Sequence, residues 1–280
     1  MEYTLSTIAP IFLSPVIAFI INAFFGRKLP RNGDWLATLS IFISFFFSLR
    51  IFMDFTGTFA TDYYIHKVFT WFDISGGNQV FKVDMGIYLD NMAAIMLLMV
   101  SGIAALIHLF STWYMDGDEK HGRFFTFLPL FTSAMLGLVL SDNLLSMFIF
   151  WEIMGFCSYS LIGIYVKKEK AGDASLKAFM TTRVGDVFLL LGIVAIWVAV
   201  GSVSYVDIYA AIAQGKFTGS VLGISFATFT ALCIFLGAMG KSAQFPLHVW
   251  LPDAMMGPTP GSALIHAATM VTAGVYVSLR

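Results

Sequence analysis

Long apolar stretches separated by short polar segments are the main pattern in this chain. A membrane-spanning helix needs about 20 apolar residues, and the sequence holds several stretches of that length. We predict eight spans, at residues 5–25, 35–53, 87–113, 124–141, 144–165, 174–200, 220–245 and 260–280. The pattern indicates an all-α fold, a polytopic bundle of transmembrane helices.

The seventh predicted span contains a break near its end. A proline inside a helix lacks a backbone donor and crowds the carbonyl four residues before it. Pro246 would crowd the carbonyl of Ser242, so we expect the helix to open just after Lys241, and Pro252 follows soon after. Broken helices at membrane depth occur at the ion sites of transporters. The break therefore marks a candidate functional region.

The segment between the second and third spans has a different pattern. Its sequence VFTWFDISGGNQVFKVDM (68–85) contains two β-prone runs separated by Ser-Gly-Gly-Asn, which is typical of a β-hairpin. We predict a small external hairpin that packs on the loops of this protein or on a neighbouring subunit.

Composition supports a membrane protein and excludes several other classes. The chain is 58% hydrophobic and 12% charged, whereas soluble domains are about 25% charged. A net charge of −1 argues against a nucleic-acid partner. Cys157 and Cys233 lie far apart in apolar runs, so we expect buried thiols. The sequence has no nucleotide-binding loop, flavin motif, haem ligand pair or iron–sulfur cysteine set, so redox chemistry would take place on another subunit.

The distribution of basic residues predicts the orientation of the spans. The loops after spans one, three and five are rich in basic residues, whereas the alternate loops hold few. The first set contains Arg27, Lys28, Arg31, Lys120, Arg123, Lys167, Lys168, Lys170 and Lys177, and the second contains Lys67, Lys82 and Lys216, with Arg50 near a span end. Basic loops stay in the cytoplasm, so we predict that the N-terminus lies outside.

Titratable residues inside predicted spans are the main functional candidates. Glu152 lies about 14 Å into the fifth span at 1.5 Å per residue, close to mid-bilayer. Arg183 and Asp186 are three residues apart on one helix face, where they can pair. Lys241 lies beside the expected break, and His266 lies inside span eight. A carboxylate, a lysine, a histidine and a helix break are the parts of a proton path.

Structural explanations compete with this interpretation. Glu152 can serve as a hydrogen-bonded structural carboxylate, and Arg183 with Asp186 can simply hold helices together. Lys241 can extend to the interface, as lysines at span ends do. The neighbouring break favours a hydrated cavity for Lys241, because irregular backbone within a membrane is tolerated there.

The histidines are less specific signals. Taken alone, His266 is typical of a hydrogen-bonded core histidine. His248 is a weaker candidate, and we expect His108, near an end of span three, to lie at the membrane interface.

Three motifs resemble one known family. GKSAQFPLHVWLPDAMMGPTPGSALIHAATMVTAGVY (240–276), FWEIMGFCSYSLIGIY (150–165) and RVGD (183–186) occur in the order found in the largest antiporter-like membrane subunit of respiratory complex I. That subunit is called chain 5 in mitochondria and subunit L in bacteria. The resemblance extends over the whole chain and implies an all-helical core of two inverted five-helix repeats, each with a broken helix.

The resemblance implies a role for each candidate residue. Glu152 and Lys241 match the glutamate–lysine switch of the family, and His266 matches the histidine that passes protons onward. Arg183 and Asp186 match the polar pair that modulates the switch. Two further positions depart from the family pattern: Thr182 replaces the usual Asn before RVGD, which affects how Arg183 is held, and Gly261 replaces a Val, which would loosen the start of span eight.

The resemblance also implies an organisation and a function. Residues 1–123 would hold spans one to three with the hairpin, and residues 124–280 the first antiporter-like repeat. We expect the chain to be the N-terminal half of a longer protein, since the second repeat is absent from it. The implied function is proton translocation within an NADH:quinone oxidoreductase of the bacterial cytoplasmic membrane. Its partners would be the lipid bilayer and other complex I membrane subunits, especially the adjacent antiporter-like one.

Cofactors are expected only on the partner subunits. NADH, FMN, iron–sulfur clusters and quinone would bind there, with no cofactor or metal on this chain.

The alternative function is the large subunit of a multisubunit cation/proton antiporter, which shares KSAQFP and the PTP motif. A third class of function, a membrane scaffold without transport activity, is not favoured, because it would have no use for titratable groups buried in the membrane. The coupling ion, H⁺ or Na⁺, and the type of quinone are not specified by the sequence.

Overall fold

The computed structural model describes residues 5–56, 63–76, 79–165, 169–221 and 223–280. Ten α-helices occupy most of this part of the chain, in agreement with the predicted all-α class. They are α1 (Leu5–Phe25), α2 (Asp34–Thr56), α3 (Asn91–Tyr114), α4 (His121–Leu140), α5 (Leu144–Ile162), α6 (Glu169–Val200), α7 (Tyr205–Ala213), α8 (Phe226–Lys241), α9 (Thr259–Ala267) and α10 (Met270–Leu279).

Seven helical segments of the described chain are long and apolar enough to cross a membrane. Helices α1 to α6 supply six of them, and α9 with α10 supplies the seventh. The remaining predicted span corresponds to α8, which has 16 residues, about 24 Å at 1.5 Å per residue. Helix α8 is shorter than a full crossing because it ends at Lys241.

Polar side chains define where several helices begin. Asp90 accepts a hydrogen bond from the backbone N–H of Ala93 at the start of α3, at 2.8 Å. Asn143 does the same for Ser146 at the start of α5, also at 2.8 Å. Such caps satisfy backbone donors that have no partner inside the helix. They fix the ends of the spans at the loops before α3 and α5.

The predicted hairpin is confirmed and is longer than expected. Strands β1 (Tyr64–Gly76) and β2 (Gln79–Leu89) pair antiparallel, with Gly76 opposite Gln79. The two turn residues between them lie outside the described residues. A second antiparallel pair, β3 (Ser220–Val221) and β4 (Ile224–Ser225), precedes α8.

The hairpin packs on loops of its own chain, at the end of the bundle where α5 begins. The Gly86 N–H donates to Oδ1 of Asp142 at 3.1 Å, and Nδ2 of Asn143 donates to the carbonyl of Asp84 at 2.7 Å. The loop after α6 joins the same cluster, because the N–H of Tyr205 donates to the carbonyl of Asp142 at 3.1 Å. The hairpin therefore rests on the ends of α4, α5 and α7.

Helix α4 lies at the centre of the bundle. Its buried residues cover all sides of the helix from Phe131 to Leu140, as expected for a helix enclosed by others. The outer helices expose large apolar side chains instead, including Leu106, Trp113 and Val198. An apolar outer surface is typical of helices in contact with lipid.

The structure confirms the break in span seven and corrects two other predictions about the spans. Helix α8 ends at Lys241 as expected, and Pro246 lies in the run of turns beyond the helix. The chain leaves the helix at Ala243, which has a φ of 50°. The short helix α7 was not predicted. Span eight also divides into α9 and α10, separated at Ala268 and Thr269.

His108 lies in the core and not at the membrane interface, contrary to our prediction. Its side chain is fully buried, and its Nδ1 lies 2.8 Å from the carbonyl oxygen of Ala104. The reason is its position on the face of α3 that also buries Leu97, Ala104 and Ser111. A position near the end of a span did not reveal which face of the helix the residue occupies.

Candidate functional site

Lys241 is the last residue of α8, and its side chain has no exposed surface. The chain turns away immediately after it, and the last carbonyls of the helix find other partners. Trp250 donates from Nε1 to the carbonyl of Gly240 at 3.0 Å, and the N–H of Gln244 donates to Met239 at 3.0 Å. The break is therefore stabilised by hydrogen bonds around a buried lysine.

Asp186 on α6 is the ionic partner of Lys241. Its Oδ2 lies 3.4 Å from Nζ of Lys241, and both side chains are almost completely buried. The other carboxylate oxygen, Oδ1, accepts a hydrogen bond of 2.6 Å from Nε1 of Trp151 on α5. Breaking a buried pair of this kind by removing one partner is strongly unfavourable, so three helices are joined at this point.

Glu152 forms a separate ion pair with Arg183. Its Oε2 lies 2.5 Å from Nη1 of Arg183, and both side chains are partly exposed. The guanidinium also lies over the ring of Phe179, with 4.7 Å between its central carbon and the ring centroid. Oε1 of Glu152 is buried and has no hydrogen-bond partner in the described part of the chain. One oxygen of Glu152 is therefore available for a different partner.

The predicted pairing of Arg183 with Asp186 is wrong. Each residue pairs with a side chain from a different helix, Arg183 with Glu152 on α5 and Asp186 with Lys241 on α8. Side chains three residues apart lie on one face of a helix but point in different directions. Here each of the two faces an oppositely charged side chain on a neighbouring helix, Glu152 on α5 or Lys241 on α8. The Glu152 carboxylate still lies within electrostatic reach of Asp186 and Lys241.

Glycines allow α6 and α8 to approach closely and so bring Asp186 to Lys241. A Cβ added to Gly185 would lie 3.0 Å from the carbonyl oxygen of Leu236 and 3.1 Å from Cα of Gly240. A Cβ added to Gly237 would lie only 2.5 Å from Cβ of Leu189. Small residues permit this contact between membrane helices.

His266 lies in the last turn of α9, next to the break before α10. Its Nε2 is buried and makes no hydrogen bond to any residue that the structure describes. Its ring stacks on Trp250, with 6.5 Å between the ring centroids. Because Trp250 also bonds to Gly240, this indole lies between His266 and the end of α8.

Three other positions singled out in the sequence form no ion pair with the charged groups of this site. His248 is exposed and packs against Phe245, with 5.8 Å between the ring centroids. Thr182 donates its hydroxyl to the carbonyl of Phe179 at 3.1 Å. Gly261 lies in α9, where an added Cβ would meet Phe124 and Leu161 at ordinary contact distances.

Two cysteines lie in the helices that form the site. Cys157 and Cys233 lie buried on α5 and α8, as predicted. Among the described residues, no three His, Cys, Asp or Glu side chains are grouped so as to hold a metal ion. Two ion pairs, Lys241 with Asp186 and Glu152 with Arg183, form the charged part of the site.

Sequence analysis missed three residues of the site: Trp151, Gly155 and Trp250. The ring of Trp151 lies 5.7 Å from Nζ of Lys241, and a Cβ on Gly155 would lie 2.5 Å from the same nitrogen. The motif around Glu152 contained both Trp151 and Gly155, but an uncharged indole and a glycine in an apolar helix gave no signal of their own.

Fold and site together define a polytopic helical membrane protein with paired charges buried beside a broken helix. Residues 141–280 match the family model described as NADH:quinone oxidoreductase/Mrp antiporter, TM, and residues 71–125 match NADH-Ubiquinone oxidoreductase (complex I), chain 5 N-terminus. The chain belongs to this NADH:quinone oxidoreductase/Mrp antiporter family, which confirms the resemblance seen in the sequence motifs.

Curated relatives carry names from the same family. The chain is 44% identical over 283 residues to F(420)H(2) dehydrogenase subunit L of Methanosarcina mazei, covering 96% of this chain and 40% of that protein. It is 43% identical over 275 residues to NADH-quinone oxidoreductase subunit L of Rickettsia bellii, covering 96% and 42%. NADH-ubiquinone oxidoreductase chain 5 of Metridium senile is 41% identical over 267 residues, covering 95% and 42%. The chain thus spans about two fifths of the length of these relatives.

Solved structures of multisubunit membrane complexes share the fold. The Mrp complex from Dietzia sp. matches with a TM-score of 0.76 and 28% identity, covering 96% of this chain and 28% of that chain. The archaeal membrane-bound sulfane sulfur reductase matches with a TM-score of 0.77 and 21% identity, covering 98% and 52%. At that lower identity the second match supports the fold alone.

Proposed function

We propose that this chain contributes to proton translocation as part of the membrane arm of an NADH:quinone oxidoreductase. The observation that carries the proposal is the buried Lys241, which ends a broken helix 3.4 Å from Asp186. Ionisable residues inside membrane spans are costly and usually functional. Lysine can release its proton when its surroundings change, whereas arginine stays charged.

The proposed mechanism is an exchange of ionic partners. In the arrangement described here, Lys241 pairs with Asp186 and Glu152 pairs with Arg183. Movement of Glu152 from Arg183 towards Lys241 would favour the charged amine, and its return would favour proton release. The unpaired Oε1 of Glu152 supports such movement, because it has no hydrogen bond to lose. His266, in the last turn of α9 before the break in span eight, would accept the proton from Lys241.

The energy for this exchange would come from quinone reduction on other subunits. A redox step can drive the exchange only by favouring one pairing over the other. NADH, FMN, iron–sulfur clusters and quinone would all bind to those subunits. Relatives are named for different electron donors, F(420)H(2) in one case and NADH in others, so the donor would be chosen by the partner subunits.

The proposed organisation follows from the helices and the basic residues. Residues 1–123 would form a unit of three spans with the hairpin, and residues 124–280 an antiporter-like repeat that adjoins the next antiporter-like subunit. The basic loops would face the cytoplasm, which places the N-terminus and the hairpin outside. Relatives from Rickettsia and Buchnera support the bacterial cytoplasmic membrane as the location.

Cation/proton antiport without redox chemistry is the second candidate function. The observation that favours it is the structural match to the Mrp complex at 28% identity. The same buried lysine would then exchange protons against a cation gradient. The greater identity to subunit L of Rickettsia bellii, at 43%, supports the redox-coupled function.

Inverted membrane vesicles that carry the full-length protein in its complex separate the two functions. We expect addition of the electron donor to acidify the vesicle interior, with acidification abolished when quinone reduction is inhibited. Vesicles from cells that lack the gene provide the control. If instead added Na⁺ collapses an imposed pH gradient without any electron donor, the protein is an antiporter and the redox-coupled proposal is wrong.

A further inference from the structure

Trp151 is a fully buried residue of the site that the proposed mechanism leaves without a role. It precedes Glu152 on α5, and its side chain has no exposed surface. Indole side chains are rarely buried so completely, and a buried indole N–H needs a hydrogen-bond partner. The partner here is Oδ1 of Asp186, at 2.6 Å.

The same indole contacts both members of the buried ion pair. Its N–H binds one oxygen of Asp186, while the other oxygen faces Lys241 at 3.4 Å. Its ring lies 5.7 Å from Nζ of Lys241, within the range in which a cation is attracted to an aromatic face. Trp151 therefore stabilises the anion and the cation of the pair with different parts of one side chain.

Gly155 lies one turn further along α5, next to the ammonium group of Lys241. A Cβ at this residue would lie 2.5 Å from Nζ of Lys241, so the absence of a side chain leaves the space that the ammonium occupies. Trp151 and Gly155 together form a cradle for the Lys241 head group on the helix that also carries Glu152.

We propose that Trp151 is a positioning residue that holds Lys241 on Asp186 and so controls how readily the lysine exchanges partners. This inference rests on the proposed function and concerns the regulation of the same site. The cradle places Lys241 with Asp186, while Arg183 on α6 holds Glu152, which lies on the same helix α5 as the cradle. Loss of the indole N–H would leave the Asp186 carboxylate with one charged partner and no donor from α5.

The test is a double-mutant cycle between Trp151 and Asp186 in the full-length protein within its complex. Trp151→Phe keeps a buried ring but removes the donor, and Asp186→Asn removes the charge that the donor orients. We expect Trp151→Phe to lower proton uptake per electron on the order of tenfold, the factor that one hydrogen bond to a charged group provides. Phe131→Leu, which alters a fully buried ring on α4, serves as the packing control and keeps wild-type coupling.

The double variant distinguishes positioning from packing. If Trp151 acts through Asp186, Trp151→Phe causes little further loss once Asp186 is Asn, because coupled residues give non-additive effects. Additive losses, or wild-type coupling in Trp151→Phe, would overturn the inference. If the Trp151→Phe variant does not assemble, Trp151→Leu replaces it in the cycle, because leucine also lacks a hydrogen-bond donor.

Lys241→Arg in the same assay separates this inference from the proposed function. If Lys241→Arg loses coupling while Trp151→Phe keeps it, only the role of Trp151 is wrong. If Lys241→Arg pumps like the wild type, the proposed function itself fails, whatever the Trp151 variants do.

Discussion

Lys241 and Asp186 form a buried ion pair between α8 and α6, with 3.4 Å from Nζ to Oδ2. The sequence motifs pointed to Glu152 as the partner of Lys241, but Glu152 pairs with Arg183 in this structure. The two ion pairs are close enough to interact electrostatically. In the proposed mechanism, this arrangement would be one of the two pairings between which the residues exchange.

Replacing Glu152 by Gln should uncouple proton translocation without preventing assembly. The amide keeps the shape of the side chain but cannot carry the charge that exchange requires, and Glu152 is only partly buried, so folding should be little affected. We expect proton uptake per electron to fall by about tenfold or more, measured in vesicles and normalised to assembled complex. Asp173→Asn, at an exposed carboxylate on α6, is the matched control. Normal coupling in Glu152→Gln would exclude this residue from the path.

Replacing Gly155 by Ala should displace the Lys241 ammonium group. The new Cβ would lie 2.5 Å from Nζ, and overpacking of a well-packed core costs about 1–3 kcal/mol. We expect assembled complex with reduced proton uptake per electron. Gly172→Ala is the control, because a Cβ there meets no atom within 4 Å. Equal coupling in the two variants would show that the ammonium does not need this space.

Asp142 should make attachment of the hairpin depend on pH. Burial raises the pKa of its carboxyl group above the ordinary value of 3.8, although hydrogen bonds from Asn143 and Gly86 partly oppose the shift. Because the folded state binds this proton more tightly than the unfolded state, the stabilising contribution is present below about 3.8 and is lost as pH rises through the raised pKa.

Asp142→Asn removes this titration, since the amide does not ionise. We expect the variant to lose less stability than the wild type as pH rises through the acidic range. Each 1 kcal/mol of difference in the free energy of unfolding should shift Tm by about 2–4 °C. The measurement is thermal unfolding of the detergent-solubilised protein. The Asn variant of exposed Asp173 is again a control. Parallel pH profiles for Asp142→Asn and the wild type would contradict the assigned shift.

The spans and the hairpin could be predicted because each depends on local sequence. Long apolar runs specify membrane helices, and the predicted span at 5–25 coincides with α1. The break in span eight could not be predicted, because no proline lies at Ala268 or Thr269. A tertiary contact stabilises it, because the Ser242 hydroxyl donates to the carbonyl of Val271 at 2.7 Å. The Thr269 hydroxyl also donates locally to the carbonyl of Leu264 at 2.7 Å.

The charged residues of the site could be identified from the sequence, but their partners could not. A charge in an apolar run is visible at once, whereas pairing depends on how α5, α6 and α8 pack. That packing depends on glycines such as Gly185 and Gly237, which carry no chemical signal. The contribution of Trp151 was hidden for the same reason, since its hydrogen bond to Asp186 joins residues 35 positions apart.

Proton transfer by Lys241 is the step on which the proposed function depends, and Lys241→Arg is the variant that tests it. Arginine preserves the positive charge, so it can maintain the ion pair with Asp186, but it does not release its proton. The measurement is quinone-linked proton uptake in membrane vesicles, normalised to assembled complex, with Lys241→Ala alongside. We expect both variants to lose most proton uptake. Wild-type uptake in Lys241→Arg would show that the amine does not titrate, and the mechanism proposed here would be wrong.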